Sequence, residues 1–212
     1  MDIVPWTFDY EHEHEHEKKT AMTHPWILQQ LDDAAALLAR VRGDGALIEA
    51  IGRICDAVLT CLRAGGKILA FGNGGSATDA LHLTEELIGR YLGDRPPLPA
   101  LCLSVDGPAL TCIGNDYGFE RLFARQVEAL CRPGDVAIAF STSGNSANVN
   151  EALKVAREKG GVTVGILGRD GGAALQYCDF AAVVPHGETA RIQEVHTVIL
   201  HFICEAVERE YK

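Results

Sequence analysis

Residues Lys67–Arg90 read KILAFGNGGSATDALHLTEELIGR, and the reading of this stretch decides the fold. Ile68–Phe71 is a short apolar run, the pattern of a strand covered on both faces. Gly72-Asn73-Gly74-Gly75-Ser76 then allows a sharp bend that exposes backbone N–H groups. The helix expected after Ser76 begins with unpaired N–H groups and the positive end of its dipole, so an anion is favoured there. One turn further on stand His82 and Glu86, four residues apart and hence on one helix face. A solvated ion pair is the commoner use of such a spacing. Leu81, Leu83 and Leu87 predict that much of this helix is buried, which weighs toward a metal-type pair. In open α/β sheets, ligands bind at the carboxyl ends of strands, where this turn lies.

A second stretch repeats the arrangement. Val136–Phe140 is another apolar strand, followed by Ser141-Thr142-Ser143-Gly144-Asn145-Ser146 and a helix over Ala147–Lys159. A helix N-cap needs one hydroxyl or amide side chain. Three serines and a threonine in six positions exceed that need. They place several hydroxyls and N–H groups around one point, an environment suited to phosphate.

The rest of the chain alternates strand and helix. Trp26–Val41 and Ala46–Ala64 carry apolar residues at helical spacing. Ile27, Leu31, Ala34, Leu38 and Val41 make one stripe, and Ile48, Ile51, Ile54, Val58 and Leu62 the other. Two helices before the first strand exceed what one sheet face requires. One covers the sheet; the other either packs on a partner subunit or closes a capping hairpin. Gly93–Pro99 reads as a rigid extended loop, Ala100–Ser104 as the second strand, and Pro108–Cys112 as a short helix. Asn115-Asp116-Tyr117-Gly118 reads as a polar turn and Phe119–Leu130 as an amphipathic helix. Val162–Leu167 and Phe180–Val184 complete five strands, and Glu188–Glu210 is a closing helix. Its stripe is Ile192, Val195, Ile199, Phe202 and Ile203; Gln193, Thr197 and His201 share a neighbouring face. The expected fold is α/β, a three-layer αβα sandwich around a five-stranded parallel sheet.

Composition bounds the function. The chain has 212 residues, 22 of them glycine, and a formal net charge of −10. Tyr10–Glu17, YEHEHEHE, is an alternating His/Glu tract that reads as an expression tag. Residues 1–21 are therefore set apart, with a natural start at Met22 and one domain over 22–212. The remainder still carries a net −6, which argues against general nucleic-acid binding. No apolar run is long enough to span a bilayer, and no secretory signal is visible. Seven cysteines, an odd number without CxxC spacing, read as free thiols of a reduced cytoplasm.

Four motifs, GNGGSATDALHLTEELIGRY, IGNDYGFE, STSGNSANV and ARIQEVH, occur in an order and at intervals that resemble the phosphoheptose isomerases, members of the sugar isomerase (SIS) domain family. The resemblance covers nearly all of 22–212. It implies conversion of sedoheptulose 7-phosphate to D-glycero-D-manno-heptose 7-phosphate, the first step of nucleotide-heptose biosynthesis for lipopolysaccharide or capsule. Asn73, Gly74, Gly75 and Ser76 match the family's first substrate-binding turn. Ser141, Thr142, Ser143 and Ser146 match its phosphate cradle, and Asn115 and Asp116 a further substrate-contacting pair. His82, Glu86, Gln193 and His201 match zinc-binding positions, Gln193 also being a substrate contact. Glu86 and His201 match the acid/base pair. The resemblance further implies one zinc per subunit and a homotetramer with shared sites. Ala190 departs from the acidic residue that some members carry before Arg-Ile-Gln-Glu. His186 and Arg191 read as loop and structural residues.

A different class of function uses the same fold. Some SIS proteins are non-catalytic tetramers that bind a protein partner such as a replication initiator. They need the fold and the tetramer, not the acid/base pair. His82, Glu86, His201 and the intact STSGNS run together favour the enzyme. A sugar-phosphate-sensing regulator is disfavoured, because the N-terminal helices carry no basic cluster.

Overall fold

The computed structural model describes residues 24–212, so the expected tag lies outside the described residues. Five parallel strands form one sheet in the order β2-β1-β3-β4-β5, where β1 is Ile68–Gly72, β2 Ala100–Cys102, β3 Val136–Ser141, β4 Val162–Gly168 and β5 Phe180–Val184. The register is set by pairs such as Ile68↔Val136 and Val136↔Val162. Strands β1 and β3 are buried along their whole length. Successive residues nevertheless serve opposite faces, as a period of two requires. Ile68, Ala70, Ile138 and Phe140 enter one core cluster; Leu69, Phe71, Ala137 and Ala139 enter the other.

The first core is roofed by helices α1 (Pro25–Gly43), α2 (Gly45–Arg63), α3 (Gly75–Ile88) and α7 (Thr189–Tyr211). The second is roofed by α4 (Gly107–Tyr117), α5 (Ala124–Leu130) and α6 (Ala147–Glu158). This is the expected three-layer α/β sandwich. Among the described residues, no helix is long and apolar enough to cross a membrane.

Three local expectations are corrected. Asn115 and Asp116 lie in the last turn of α4, not in a turn outside a helix, and Gly118 with φ of 88° ends that helix. The stretch after it is a 3-10 turn at Phe119–Arg121 followed by the shorter α5. The stripe of α1 corrects nothing, since one N-terminal helix is not needed by the sheet, and it is mostly uncovered: Ile27, Leu31 and Leu38 are exposed, and the buried residues are Leu37 and Val41. Leu81 of α3 is likewise exposed, while Leu83 and Leu87 are buried.

Strand order 2-1-3 makes the carboxyl ends of β1 and β3 a topological switch point, where crossovers leave in opposite directions and a crevice opens. The loops after β1 and β3 meet there: the Asn73 and Asn148 side-chain amides donate to each other's carbonyl oxygen at 2.9 Å. The β3 loop is backed by the loop after β4. Gly144 has φ of 64°, and a Cβ placed on it would lie 1.9 Å from the Gly171 carbonyl oxygen. Gly144→Ala combines a left-handed backbone with a backbone clash. It is expected to lower stability by about 2–4 kcal/mol, read as a drop in the urea midpoint at unchanged m-value.

Candidate active site

Helices α3 and α7 run side by side on the first face of the sheet, and their facing residues form a ladder. At the top, Gln193 lies against Gly75: a Cβ on Gly75 would meet the Gln193 Nε2 at 2.3 Å, so only glycine leaves room for the amide. Next, the Thr197 hydroxyl donates to the Asp79 Oδ1 at 3.3 Å and to the Gln193 carbonyl oxygen at 3.1 Å. Below them, the His82 and His201 rings meet edge to face with centroids 5.0 Å apart. His82 Nε2 is 3.2 Å from Glu86 Oε1. Donor atoms of His82, Glu86 and His201 all lie within 4.8 Å of one another, and each residue is half-buried. Two of the three come from an i, i+4 pair on α3, the third from a helix that follows 100 residues later in the chain. Tyr91 stacks on His201 with centroids 5.8 Å apart.

Beside this ladder stand two helix N-termini that no side chain caps. Helix α3 starts after Gly74, and α6 starts after Ser146, whose hydroxyl makes no capping bond. At α3 the Ser76 and Ala77 N–H groups turn back to the Asn73 and Gly74 carbonyl oxygens, and at α6 the Val149 N–H turns back to that of Ser146, so only the Gly75, Ala147 and Asn148 N–H groups at these starts are left for water or a ligand. In the β3 loop, the Ser141 hydroxyl accepts from the Gly144 N–H at 3.0 Å and the Ser143 hydroxyl from the Asn145 N–H at 3.1 Å. A hydroxyl used as an acceptor keeps its own proton to donate. Thr142 and Ser146 are half-buried in the same loop, and Ser76 is buried at the start of α3. Asn115 and Asp116 stand exposed, with the Asn115 amide donating to Asp116 Oδ1 at 2.7 Å, and neither joins the trio on α3 and α7. Arg191 is buried and donates to the Gln30 carbonyl oxygen, a tie between α7 and α1; His186 lies in the loop after β5.

Several residues escaped the sequence reading. Asp79 is buried, with Oδ2 lacking any partner, and burial raises its pKa to about 6. The signal was available, since Asp79 stands one turn before His82, but an acid in the first turns of a helix is ordinarily a dipole partner. Asn148, the second residue of α6, was hidden within the STSGNSANV run. His196 is wholly buried against Phe140, with neither ring nitrogen partnered, and burial pushes its pKa down to about 4. It is a neutral ring in the core, away from the crevice chemistry.

A family model described as SIS domain matches residues 29–168. The phosphoheptose isomerase of Solidesulfovibrio magneticus is 52% identical over 183 residues, covering 86% of this chain and 88% of the relative. That of Trichlorobacter lovleyi is 45% identical over 184 residues, covering 87% and 93%. Among solved structures, phosphoheptose isomerase GmhA from Neisseria gonorrhoeae is 40% identical, with a TM-score of 0.82 and coverage of 88% of this chain and 98% of that one. A phosphoheptose isomerase from Francisella tularensis is 33% identical, with a TM-score of 0.84, covering 89% and 99%.

The buried Asp79 carboxyl has a stability consequence in the metal-free protein. Its folded pKa, raised by burial to about 6, lies above the ordinary aspartate value of 3.8, so folding favours the protonated form. Its contribution is most favourable below pH 4 and is lost as pH rises through about 6. Asp79→Asn keeps an acceptor for Thr197 and removes the charge. The variant is expected to be more stable than the parent at pH 8 by on the order of 2–3 kcal/mol, with the difference vanishing near pH 4. Urea midpoints across that pH range, in chelator, measure it.

Proposed function

This chain belongs to the SIS domain family and, within it, to the phosphoheptose isomerases, and from that premise we propose how its residues carry the reaction. The reaction is the aldose–ketose isomerisation of sedoheptulose 7-phosphate to D-glycero-D-manno-heptose 7-phosphate. The observation that carries the reading is a His–Glu–His trio split between α3 and α7, with the uncapped start of α3 joined through Asn73 and Asn148 to the uncapped start of α6. A binding module needs the second feature at most. We infer that 22–212 is one SIS domain and that residues 1–21 are a tag.

The β3 loop and the start of α6 hold the phosphate. Ser141, Thr142, Ser143 and Ser146 donate hydroxyls, with the helix dipole behind them. Asn73, Gly74, Gly75 and Ser76 line the sugar, joined by Gln193, Asn115 and Asp116. Anchoring the far end of the sugar holds C1 and C2 at the trio, which is a positional contribution. Glu86 takes a proton from C1 of the ketose while His201 donates one to the carbonyl oxygen on C2, giving an enediol. A proton then returns to C2, and the hydroxyl on C1 gives its proton to His201 as the new carbonyl forms. The reverse direction exchanges these roles.

The donor set fits a zinc ion. Two imidazoles and a carboxylate with donors within 4.8 Å suit a borderline divalent metal, and Gln193 adds an amide of a type that zinc takes less readily. His82, Glu86, Gln193 and His201 would hold it. When bound, zinc supplies polarisation of the carbonyl and hydroxyl oxygens. A carboxylate held tightly by a metal is a weaker base. Glu86 therefore serves as base only when it is a shared or intermittent ligand.

The exposed apolar residues of α1, including Trp26, Ile27 and Leu31 at 64%, 43% and 61% exposure, support the reading that this helix packs on other copies in a homotetramer. Leu31→Glu is expected to shift the mass measured by light scattering from tetramer toward smaller species.

The direct test is NMR in heavy water with sedoheptulose 7-phosphate, with and without zinc. Expected is heptose 7-phosphate with deuterium at C2. Glu86→Gln and His201→Ala should each lower kcat by about 10²-fold or more, and Ser146→Ala should raise KM more than it lowers kcat. A folded, zinc-loaded protein without turnover would point instead to a protein-binding SIS module.

A further inference from the structure

Arg95 lies in the Gly93–Pro99 loop, where the sequence suggests only a rigid connection. Its side chain is 1% exposed. One guanidinium nitrogen, Nη1, donates to the Leu87 carbonyl oxygen at 2.9 Å and to that of Pro96 at 3.0 Å; Nη2 donates to the Glu86 carbonyl oxygen at 2.5 Å. The remaining Nε has no hydrogen bond and sits 3.8 Å from Glu208 Oε2, itself unpartnered. The other Glu208 oxygen accepts the Gly93 N–H at 2.6 Å. Glu208 lies on α7, two turns beyond His201.

Helix α3 therefore ends in an unusual way. The last carbonyls of a helix lack intrahelical partners and carry its negative dipole end. Most helices leave them to water or to a glycine in the left-handed region. Gly89 has φ of −79° and makes no such cap. A buried guanidinium takes the Glu86 and Leu87 carbonyls instead, and a buried carboxylate on α7 balances its charge. Such a pair is a poor way to gain stability, since desolvating two charges offsets their attraction. What it does provide is a fixed link between the end of α3, which carries Glu86, and the last turns of α7, two turns beyond His201 in the middle of that helix.

We propose that Arg95 and Glu208 are positioning residues that hold Glu86 against His201, and that Arg95 acts through the Glu86 backbone carbonyl. The proposal rests on the trio being the reacting centre, and it ties a loop outside the four sequence motifs' shared chemistry to the geometry of that centre. Without the pair, the last turn of α3 is free to move relative to α7, while the phosphate loop on β3 is untouched.

The test uses the full chain with Arg95→Met/Glu208→Met, which replaces the pair by apolar side chains, and Arg95→Lys, which keeps the charge but not the planar fork that reaches two carbonyls. Three readouts are compared with the parent: the urea midpoint in chelator, zinc affinity by competition with a chromophoric chelator, and the 15N ring signals of His82 and His201 in metal-free protein. The expected result is a double variant with an urea midpoint near the parent's, zinc binding weaker by about 10–100-fold, and shifted His82 and His201 signals with His186 unmoved. In turnover, kcat falls and KM for the sugar phosphate holds. Arg95→Lys should show the same pattern, and it decides the matter if the double variant does not fold. Parental zinc affinity and unmoved His82 and His201 signals in a folded variant would overturn the proposal. If the parent binds no zinc and turns nothing over, the functional reading fails, and the ring signals still judge the positioning role.

Discussion

The side-by-side packing of α3 on α7 is the constraint on which the rest depends. Residues 75, 79, 82 and 86 of one helix face residues 193, 197, 201 and 208 of the other, the last through Arg95. Each facing pair serves a purpose that a slip of one residue would destroy. Gly75 makes room for an amide, Thr197 satisfies one oxygen of a buried carboxylate, and two imidazoles meet a carboxylate. Helix faces recur every three to four residues, so a change in the relative height of the helices would break all of these contacts together.

The register is expensive to maintain. Asp79 Oδ2, Arg95 Nε and Glu208 Oε2 are all buried without hydrogen bonds, and all three lie along this helix pair. The stabilising counterweight is apolar. Ile192, Val195, Ile199 and Ile203 of α7 and Ala80, Leu83 and Leu87 of α3 enter the same core cluster, packed on Ile68, Ala70, Ile138 and Phe140 of the sheet. Burial of that apolar area is a large, undirected gain. It tolerates a few unsatisfied polar atoms and fixes where they stand. The phosphate side of the crevice is built differently. There the polar groups are backbone N–H groups and short hydroxyls in a loop wedged by glycines, and none carries a net charge. On the proposed reading, a dianion is met by neutral donors, while the charged groups are reserved for the end where protons move.

Periodicity revealed most of the architecture because each element's face is a local property. The five strands, α2, α3, α6 and α7 lie where the apolar patterns place them, with ends shifted by a residue or two. Where that reading failed, the reason was also local. Asn115 and Asp116 resemble turn residues by type, yet the helix continues until Gly118 adopts a backbone that ends it. The stripe on α1 is genuine, but most of it finds no surface among the described residues. An apolar stripe states that a face is to be covered; it does not say by what.

From the sequence alone came the chemistry available in each segment: an uncapped glycine turn before a helix, a hydroxyl-rich turn before another, and a His–Glu pair one helical turn apart. These are decided by residue type and by spacings of four residues or fewer. Only the tertiary structure decided that His201 completes the pair, that Asp79 and Thr197 meet between the helices, and that Arg95 grips the carbonyl of Glu86. Those contacts join residues as far apart in the chain as Asp79 and Thr197 or His82 and His201. They depend on strand order and on the height at which two helices settle on a shared sheet. Helical periodicity specifies which face a residue occupies, and is silent about the residue it will meet.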